Sequence, residues 1–339
     1  MKIVSVLKKI LLIRFSSIGD IVLTTPVVRC LKQQLKDAEI HVVTKFAYRS
    51  IYENNPHVAK VFDLSGGLNE VIPLLKAERY DFVVDLHKNW RSWKVRMALR
   101  RPSASFPKLD FRKFLYTKLK LGRLPNLHIV DRYFKAVAPL GVQNDGQGLD
   151  FFFAENDVLH LANLSEEFRQ GFAAVVIGGQ HATKILPDDK VVAVCRELDE
   201  PVILVGGSED FARGEKIVRQ VGANIGNGCG RFSIAQSASL LSLASVVLTN
   251  DTGMMHIAAA LRKPIVSVWG NTVPEFGMYP YLPQGMKPAC IVEVKALPCR
   301  PCHKLGYKRC PKGHFNCMNR MDAAYIARKM RGMMGNGEG

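Results

Sequence analysis

The chain has 339 residues, 47% of them hydrophobic and 23% charged, an ordinary globular mix with enough length for two domains rather than one. No segment reaches the ~20 apolar residues that a membrane-spanning helix requires. The net charge of +17 is not ordinary, and it favours an anionic partner: nucleic acid, an acidic membrane surface or a phosphorylated substrate.

The opening stretch, MKIVSVLKKILLIRF, makes a poor signal peptide, because Lys8, Lys9 and Arg14 interrupt its apolar runs and no small-residue cleavage site follows. The expectation is a cytoplasmic protein, touching a membrane at most from that side. Ile10–Phe15 reads as a buried first strand. Asp20–Leu35 carries Ile21, Thr25, Val28, Leu31 and Leu35 at helical spacing, and Ile40–Thr44 is the next strand. That βαβ unit implies a parallel sheet with a right-handed crossover. Val61–Leu64 and Phe82–Leu86 extend it. A polar stretch, 155–165, marks the join.

The pattern then restarts. Strands are predicted at Ala173–Ile177, Pro201–Val205, Val246–Thr249 and Pro264–Trp269, the first two followed by the glycine turns Gly178-Gly179 and Gly206-Gly207. Helical stretches lie at Asp188–Leu198, Phe211–Val221, Ser233–Leu243 and Gly253–Leu261. The last 19 residues, from Met321, read as one helix with a Gly-rich tail. Two βα arrays in tandem give an α/β chain of two doubly wound domains, with the boundary between residues 160 and 161.

In open α/β sheets, ligands sit beyond the carboxyl ends of the strands. The loop Ser16–Asp20 lies there, within RFSSIGDIVLTTPV. Gly19 allows close approach of a ligand. Asp20 opens the helix either as an N-cap or as a general base within reach of a hydroxyl. The dinucleotide fingerprint G-x-G-x-x-G is absent from this loop, which disfavours a nicotinamide enzyme.

A second sheet-edge site is written in VVLTNDTGMMHIAAAL. A strand ends, Asn250-Asp251-Thr252-Gly253 turns, and the free amides of the following helix make an anion site. Thr252 adds a hydroxyl and His256 a ring nitrogen one turn in, a set able to hold a diphosphate. Lys184, in GGQHATKILP, lies over the same edge. Glu209 and Asp210, in GGSED, either bind ribose hydroxyls or cap the next helix, and Asn271 and Thr272 close the crevice.

From Lys88 to Arg123 there are twelve lysines and arginines and one acid, Asp110, interleaved with Trp90, Trp93, Phe106, Phe111, Phe114 and Tyr116. Such a segment suits a membrane surface, an anionic glycolipid or a nucleic acid backbone. A solvated helix face with its aromatics turned inward would read the same way. The run CRPCHKLGYKRCPKGHFNC opens with C-x-x-C. Cys299, Cys302, Cys310 and Cys317, with His314 able to replace one thiol, are candidates for structural zinc, against buried free thiols or a disulfide.

SSIGDIVLTTPVV, the lysine of TKILP, and NDTGMMHIAAAL followed by SVWGNTVP together resemble glycosyltransferase family 9, the heptosyltransferases of lipopolysaccharide assembly, over nearly the whole chain. The resemblance implies the GT-B architecture, two Rossmann-like domains facing a cleft. Residues 1–160 would take the acceptor and 161–339 the nucleotide sugar, with the last helix able to return to the first domain. It assigns Asp20 as catalytic base, and Lys184, Asp251, Thr252, Gly253 and His256 to the donor. Ser17, Gly19, Arg91, Lys94 and Arg96 are placed beside an anionic, lipid-linked acceptor at the inner membrane. It implies an inverting transfer that needs no catalytic metal or other cofactor, in keeping with the lack of any Asp-x-Asp pair. Family members use ADP-heptose by default, and a nucleic acid partner is not expected. Two other classes are a GT-B-like nucleotide-sugar epimerase and a non-catalytic anion- or nucleic-acid-binding protein.

Overall fold

The computed structural model describes residues 7–122 and 124–334. The first six residues, Arg123 and the predicted Gly-rich tail lie outside them. The chain divides into two compact units, residues 1–109 with 127–152, and residues 110–126 with 153–339.

Unit one is built on five parallel strands: β1 (Lys9–Ile13), β2 (Glu39–Thr44), β3 (Lys60–Asp63), β4 (Phe82–Asp85) and β5 (Ser103–Ser105), in the order β3-β2-β1-β4-β5. β1 is central, and its Ile10–Ile13 run is buried on both faces, which is why it reads as unbroken apolar sequence rather than alternation. Leu12 aligns with Val42 on one side and Val84 on the other. Leu11, Ile13, Val43 and Val83 pack with Leu75 and Val95 from two helices to form the core.

The single helix expected over residues 20–35 is two, Ile18–Val22 and Thr25–Gln34. The hydroxyls of Thr24 and Thr25 donate to the carbonyls of Ile21 and Val22 at 2.7 and 2.8 Å, and Pro26 has no N–H to continue the first ladder. The second helix carries Arg29, which is buried. Its guanidinium donates to both carboxylate oxygens of Asp145 at 2.7 and 2.8 Å, to the Gly148 carbonyl at 2.9 Å and to Asp150. This network ties the returning segment 127–152 to the unit.

Unit two has six parallel strands: β6 (Ala173–Val176), β7 (Val202–Val205), β8 (Ile225–Asn227), β9 (Val246–Asn250), β10 (Ile265–Trp269) and β11 (Cys290–Glu293), in the order β11-β10-β9-β6-β7-β8. The predicted helices form at Asp188–Leu198, Phe211–Val221, Ile234–Leu243 and Gly253–Ala260. Ser233 is a cap, its hydroxyl accepting from the Gln236 N–H at 3.1 Å. The last helix, Ala323–Met334, belongs to this unit and packs on Asp188–Leu198. Segment 110–126 belongs here too. Lys304 pairs with Asp110 at 2.9 Å, Tyr116 meets the Phe276 ring edge-on, and the Lys120 ammonium donates to the carbonyls of Cys299 and Pro301.

Both strand orders reverse direction beside the first strand of the unit, between β1 and β4 and between β6 and β9. The crevices beyond those strand ends are where doubly wound sheets bind ligands. Arg29→Ala leaves Asp145 and Asp150 without their cation, so it is expected to lower unfolding free energy by about 3 kcal/mol. Urea unfolding of the two proteins checks this, and an unchanged midpoint would show the network to be incidental.

Candidate active site

The loop after β1 runs from Arg14 to Asp20. Arg14 sits where the sheet ends and is buried. Its Nε donates to the Ser16 carbonyl at 2.8 Å, its Nη1 to the Leu86 carbonyl at 2.5 Å, and its Nη2 lies 2.7 Å from Asp20 Oδ1. The guanidinium also stands over the Tyr133 ring, 5.9 Å from its centre. One side chain thus joins the ends of β1 and β4 and sets the position of Asp20.

Asp20 is not the N-cap. Ser17 holds that place, and Asp20, three residues on, reaches back so that Oδ2 accepts from the Ser17 hydroxyl at 3.1 Å and, weakly, its N–H at 3.4 Å. Gly19 is buried in the same turn. Burial alone would raise the Asp20 pKa. The Arg14 charge and the two Ser17 hydrogen bonds outweigh it, and the net direction is down. The side chain remains 26% exposed. The result is a carboxylate ionised at neutral pH, oriented, and open to a ligand hydroxyl.

His87 faces this loop from the end of β4. Its ring lies 4.9 Å from that of Phe15, and its buried Nδ1 has no hydrogen-bond partner among the described residues. Burial, then the charges of Arg14 and Lys108, push its pKa down to about 4, so the imidazole is neutral at pH 7. Asp85, also buried, accepts from the N–H groups of His87 and Lys88 at 3.0 and 2.7 Å and shapes the turn. Neither Arg14 nor His87 was singled out from the sequence as a site residue. The signals were there: a cation closing an apolar strand beside the acid of its own loop, and a histidine just past the strand across the switch point.

In unit two, the loop after β6 brings Lys184 to Asp251, which follows β9. Lys184 Nζ lies 2.6 Å from Asp251 Oδ2 and also donates to the Asp251 carbonyl at 3.2 Å. Thr272 Oγ1 donates to the same Oδ2 at 2.8 Å. Asn250 ties the two loops together, donating to the Val176 carbonyl and accepting from the Leu186 N–H. Thr252 caps the helix Gly253–Ala260, leaving the first amides of that helix without intrahelical partners. Among the described residues its buried Oγ1 has no hydrogen-bond partner, and neither has Oδ1 of Asn271. His256 is buried one turn in. Lys184, Asp251, Thr252, Gly253, His256 and Thr272 therefore lie at one strand edge, where helix-start amides, a hydroxyl and an ammonium come together.

Asp210 serves the fold. Its Oδ2 accepts from the Gly207 N–H at 3.0 Å, and a side chain at Gly178 or Gly206 would strike it. Burial pushes its pKa up. Glu209 beside it is exposed. Of the basic residues, Arg96 is held by Ser103 at 3.0 Å and lies 3.8 Å from Asp85, whereas Arg91 and Lys94 are exposed.

The cysteines weighed as zinc ligands are not brought together as a ligand set among the described residues. Among the described residues, no three His, Cys, Asp or Glu side chains are grouped to hold a metal ion. All eight cysteines are free thiols. Cys302 Sγ is turned onto the Cys299 carbonyl at 2.9 Å, while Cys299 Sγ lies 3.9 Å from His314 Nε2. Burial and then the neighbouring Cys299 push the Cys302 thiol up to about 11, so it is protonated at pH 7.

The family model Glycosyltransferase family 9 (heptosyltransferase) matches residues 70–307. Lipopolysaccharide heptosyltransferase 1 of Campylobacter coli is 26% identical over 293 residues, 78% of this chain and 84% of that one. The glycosyl transferase family 9 structure from Veillonella parvula DSM 2008 covers 97% of this chain and 98% of its own, with 20% identity and a TM-score of 0.75. That of E. coli ADP-heptose lps heptosyltransferase II covers 98% and 100%, with 20% identity and a TM-score of 0.73.

His87 is neutral when folded and protonates near its ordinary value when unfolded. Its contribution to stability is thus present above about pH 6.5 and lost as pH falls toward about 4. His87→Gln is expected to flatten that part of the melting temperature profile. An identical slope in both proteins would place the acid lability elsewhere.

Proposed function

The chain belongs to glycosyltransferase family 9, and on that premise we propose that it is an inverting, metal-independent heptosyltransferase, moving heptose from ADP-heptose onto an anionic lipopolysaccharide-type acceptor. The observation that carries the catalytic part is the Arg14–Asp20 pair at the end of β1. Asp20 takes the proton of the acceptor hydroxyl, and that oxygen attacks the anomeric carbon from the face opposite the nucleotide. The base form is always present at neutral pH. Arg14 positions Asp20 without touching substrate, and Ser17 orients its second oxygen. Gly19 keeps the approach open.

The donor lies at the edge of unit two. The amides of Gly253 and Met254 and the Thr252 hydroxyl receive the diphosphate, with His256 beneath them. Lys184 offsets the charge that develops on the leaving group. A carboxylate so near a diphosphate would repel it, but the Asp251 charge is shared between Lys184 and Thr272. Asp251 then acts by aiming Lys184. Glu209 is the candidate for ribose, and Asn271 for closing the site. The acceptor phosphates fall to Arg91 and Lys94, with the work done at the cytoplasmic face of the inner membrane. Family membership does not favour the epimerase or the non-catalytic binding protein.

Two measurements test this reading. Asp20→Ala should reduce transfer by roughly 10²–10⁴-fold while leaving ADP binding intact; near-normal turnover would remove Asp20 from the role of base. Lys184→Met should weaken ADP binding by about tenfold or more, because it strands Asp251 beside the phosphates, and adding Asp251→Asn should recover part of the loss. Calorimetric titration of both variants, without added metal, gives the comparison. Equal losses in the single and double variants would show that the pair is not coupled to the nucleotide.

A further inference from the structure

The C-x-x-C turn of unit two holds two thiols in unlike surroundings. Cys299, Cys302 and Cys310 are half-buried, and Cys317 is buried. His314 Nδ1 accepts from the Asn316 N–H at 3.0 Å, so the proton of the neutral ring sits on Nε2. That nitrogen lies 3.9 Å from Cys299 Sγ, a hydrogen-bond distance for sulfur, and it is the donor. Lys120 brings an ammonium to the same turn, donating to the carbonyls of Cys299 and Pro301 at 3.3 and 2.5 Å. An imidazole N–H and a cation both favour thiolate over thiol. Cys302 is engaged the other way round. Its Sγ donates to the Cys299 carbonyl at 2.9 Å and so holds its proton. The backbone between them is pinned: the Cys302 N–H donates to the Asn271 carbonyl at 3.1 Å, and the Arg300 guanidinium donates to the carbonyls of Gly270 and Thr272 at 2.6 and 2.8 Å. The two sulfurs thus share one anchored turn, and rotation of their side chains brings one to the other.

We propose that Cys299 and Cys302 form a reversible oxidation site for low-molecular-weight disulfides, with Cys299 attacking and Cys302 resolving. Cys299 loses its proton to solvent, and its sulfur, steadied by the His314 N–H, attacks one sulfur of the reagent. The reagent's S–S bond breaks, and its other half leaves as a thiolate that takes up a proton. A mixed disulfide remains on Cys299. Cys302 then gives up its proton and attacks the Cys299 sulfur, which expels the second half of the reagent as a thiol. The protein dithiol is oxidised by two electrons to a disulfide, and one disulfide reagent is reduced to two thiols. The order follows from the partners: the sulfur that accepts a hydrogen bond attacks first, and the one that donates waits for the mixed disulfide. This chemistry stands without the transferase reading.

The test is incubation of the full chain with oxidised glutathione near neutral pH, followed by peptide mapping. The wild-type protein should form one internal disulfide, between Cys299 and Cys302, that dithiothreitol reverses. In Cys302→Ser the hydroxyl can donate to the same carbonyl, so the fold is kept, and the reaction should stop at a glutathione adduct on Cys299. Cys299→Ser should leave Cys302 without an adduct. Adding His314→Ala to Cys302→Ser should slow adduct formation roughly threefold or more, because the attacking sulfur loses its hydrogen-bond donor. Circular dichroism melting of each variant shows that it is folded. The proposal is overturned if the wild-type thiols all survive the reagent, if Cys302→Ser gains no adduct on Cys299, if Cys310 rather than Cys302 closes the disulfide, or if the His314 variant reacts as fast. A tightly held metal ion in the native mass of the protein, shielding these thiols from the reagent, would overturn it too.

Discussion

Unit one is organised around a cation that water barely reaches. A guanidinium taken out of solvent costs several kcal/mol unless its donors are met. Arg14 meets that demand with two backbone carbonyls, from its own loop and from the end of β4, and with the Asp20 carboxylate. The arrangement fixes three things at once: the shape of the loop, the spacing of the two strand ends and the charge of the acid. Replacing Arg14 by a shorter or neutral side chain would leave a half-buried carboxylate whose pKa drifts upward, and a loop with nothing to hold it.

Unit two solves a related problem with partners from opposite sides of the switch point. Lys184 leaves β6 and Asp251 leaves β9, so their pairing closes the gap between adjacent strand ends. The difference between the units lies in what is left over. Asp20 keeps an exposed edge. Asp251 is nearly enclosed and spends its oxygen on Lys184 and Thr272. Two carboxylates in similar topological places thus differ in chemistry because of burial and partner count.

Much of this was legible in the sequence. Eight strands and the long helices of unit two were marked by continuous apolar runs and by turn glycines, which report burial on both sheet faces. β5, β8 and β11 were not, since Ser-Ala-Ser, Ile-Gly-Asn and Cys-Ile-Val-Glu are short edge segments with little buried surface. The helix break at Thr24 was written in hydroxyls and a proline, signals that periodicity ignores. Asp20, Lys184 and Asp251 stood at strand ends and could be found by position. Arg14, beside the acid of its own loop, could have been read the same way. The capture of Lys184 by Asp251 could not, because which acid meets which base across 67 residues is decided in three dimensions. The same holds for the cysteines, whose spacing suggested a cluster that their side-chain directions do not make.

The interrupted first unit bears on synthesis. Residues 110–126 belong to unit two but leave the ribosome before the last stretch of unit one, 127–152, and long before β6. For that interval Tyr116 lacks the Phe276 ring, and Lys120 the carbonyls of Cys299 and Pro301, that they meet in unit two. Unit one is completed only when Asp145 and Asp150 arrive for Arg29. A fragment cut at a single linear boundary, before or after that segment, separates one unit from a piece of itself, so any attempt to produce the halves apart must transplant 110–126 rather than divide the gene once.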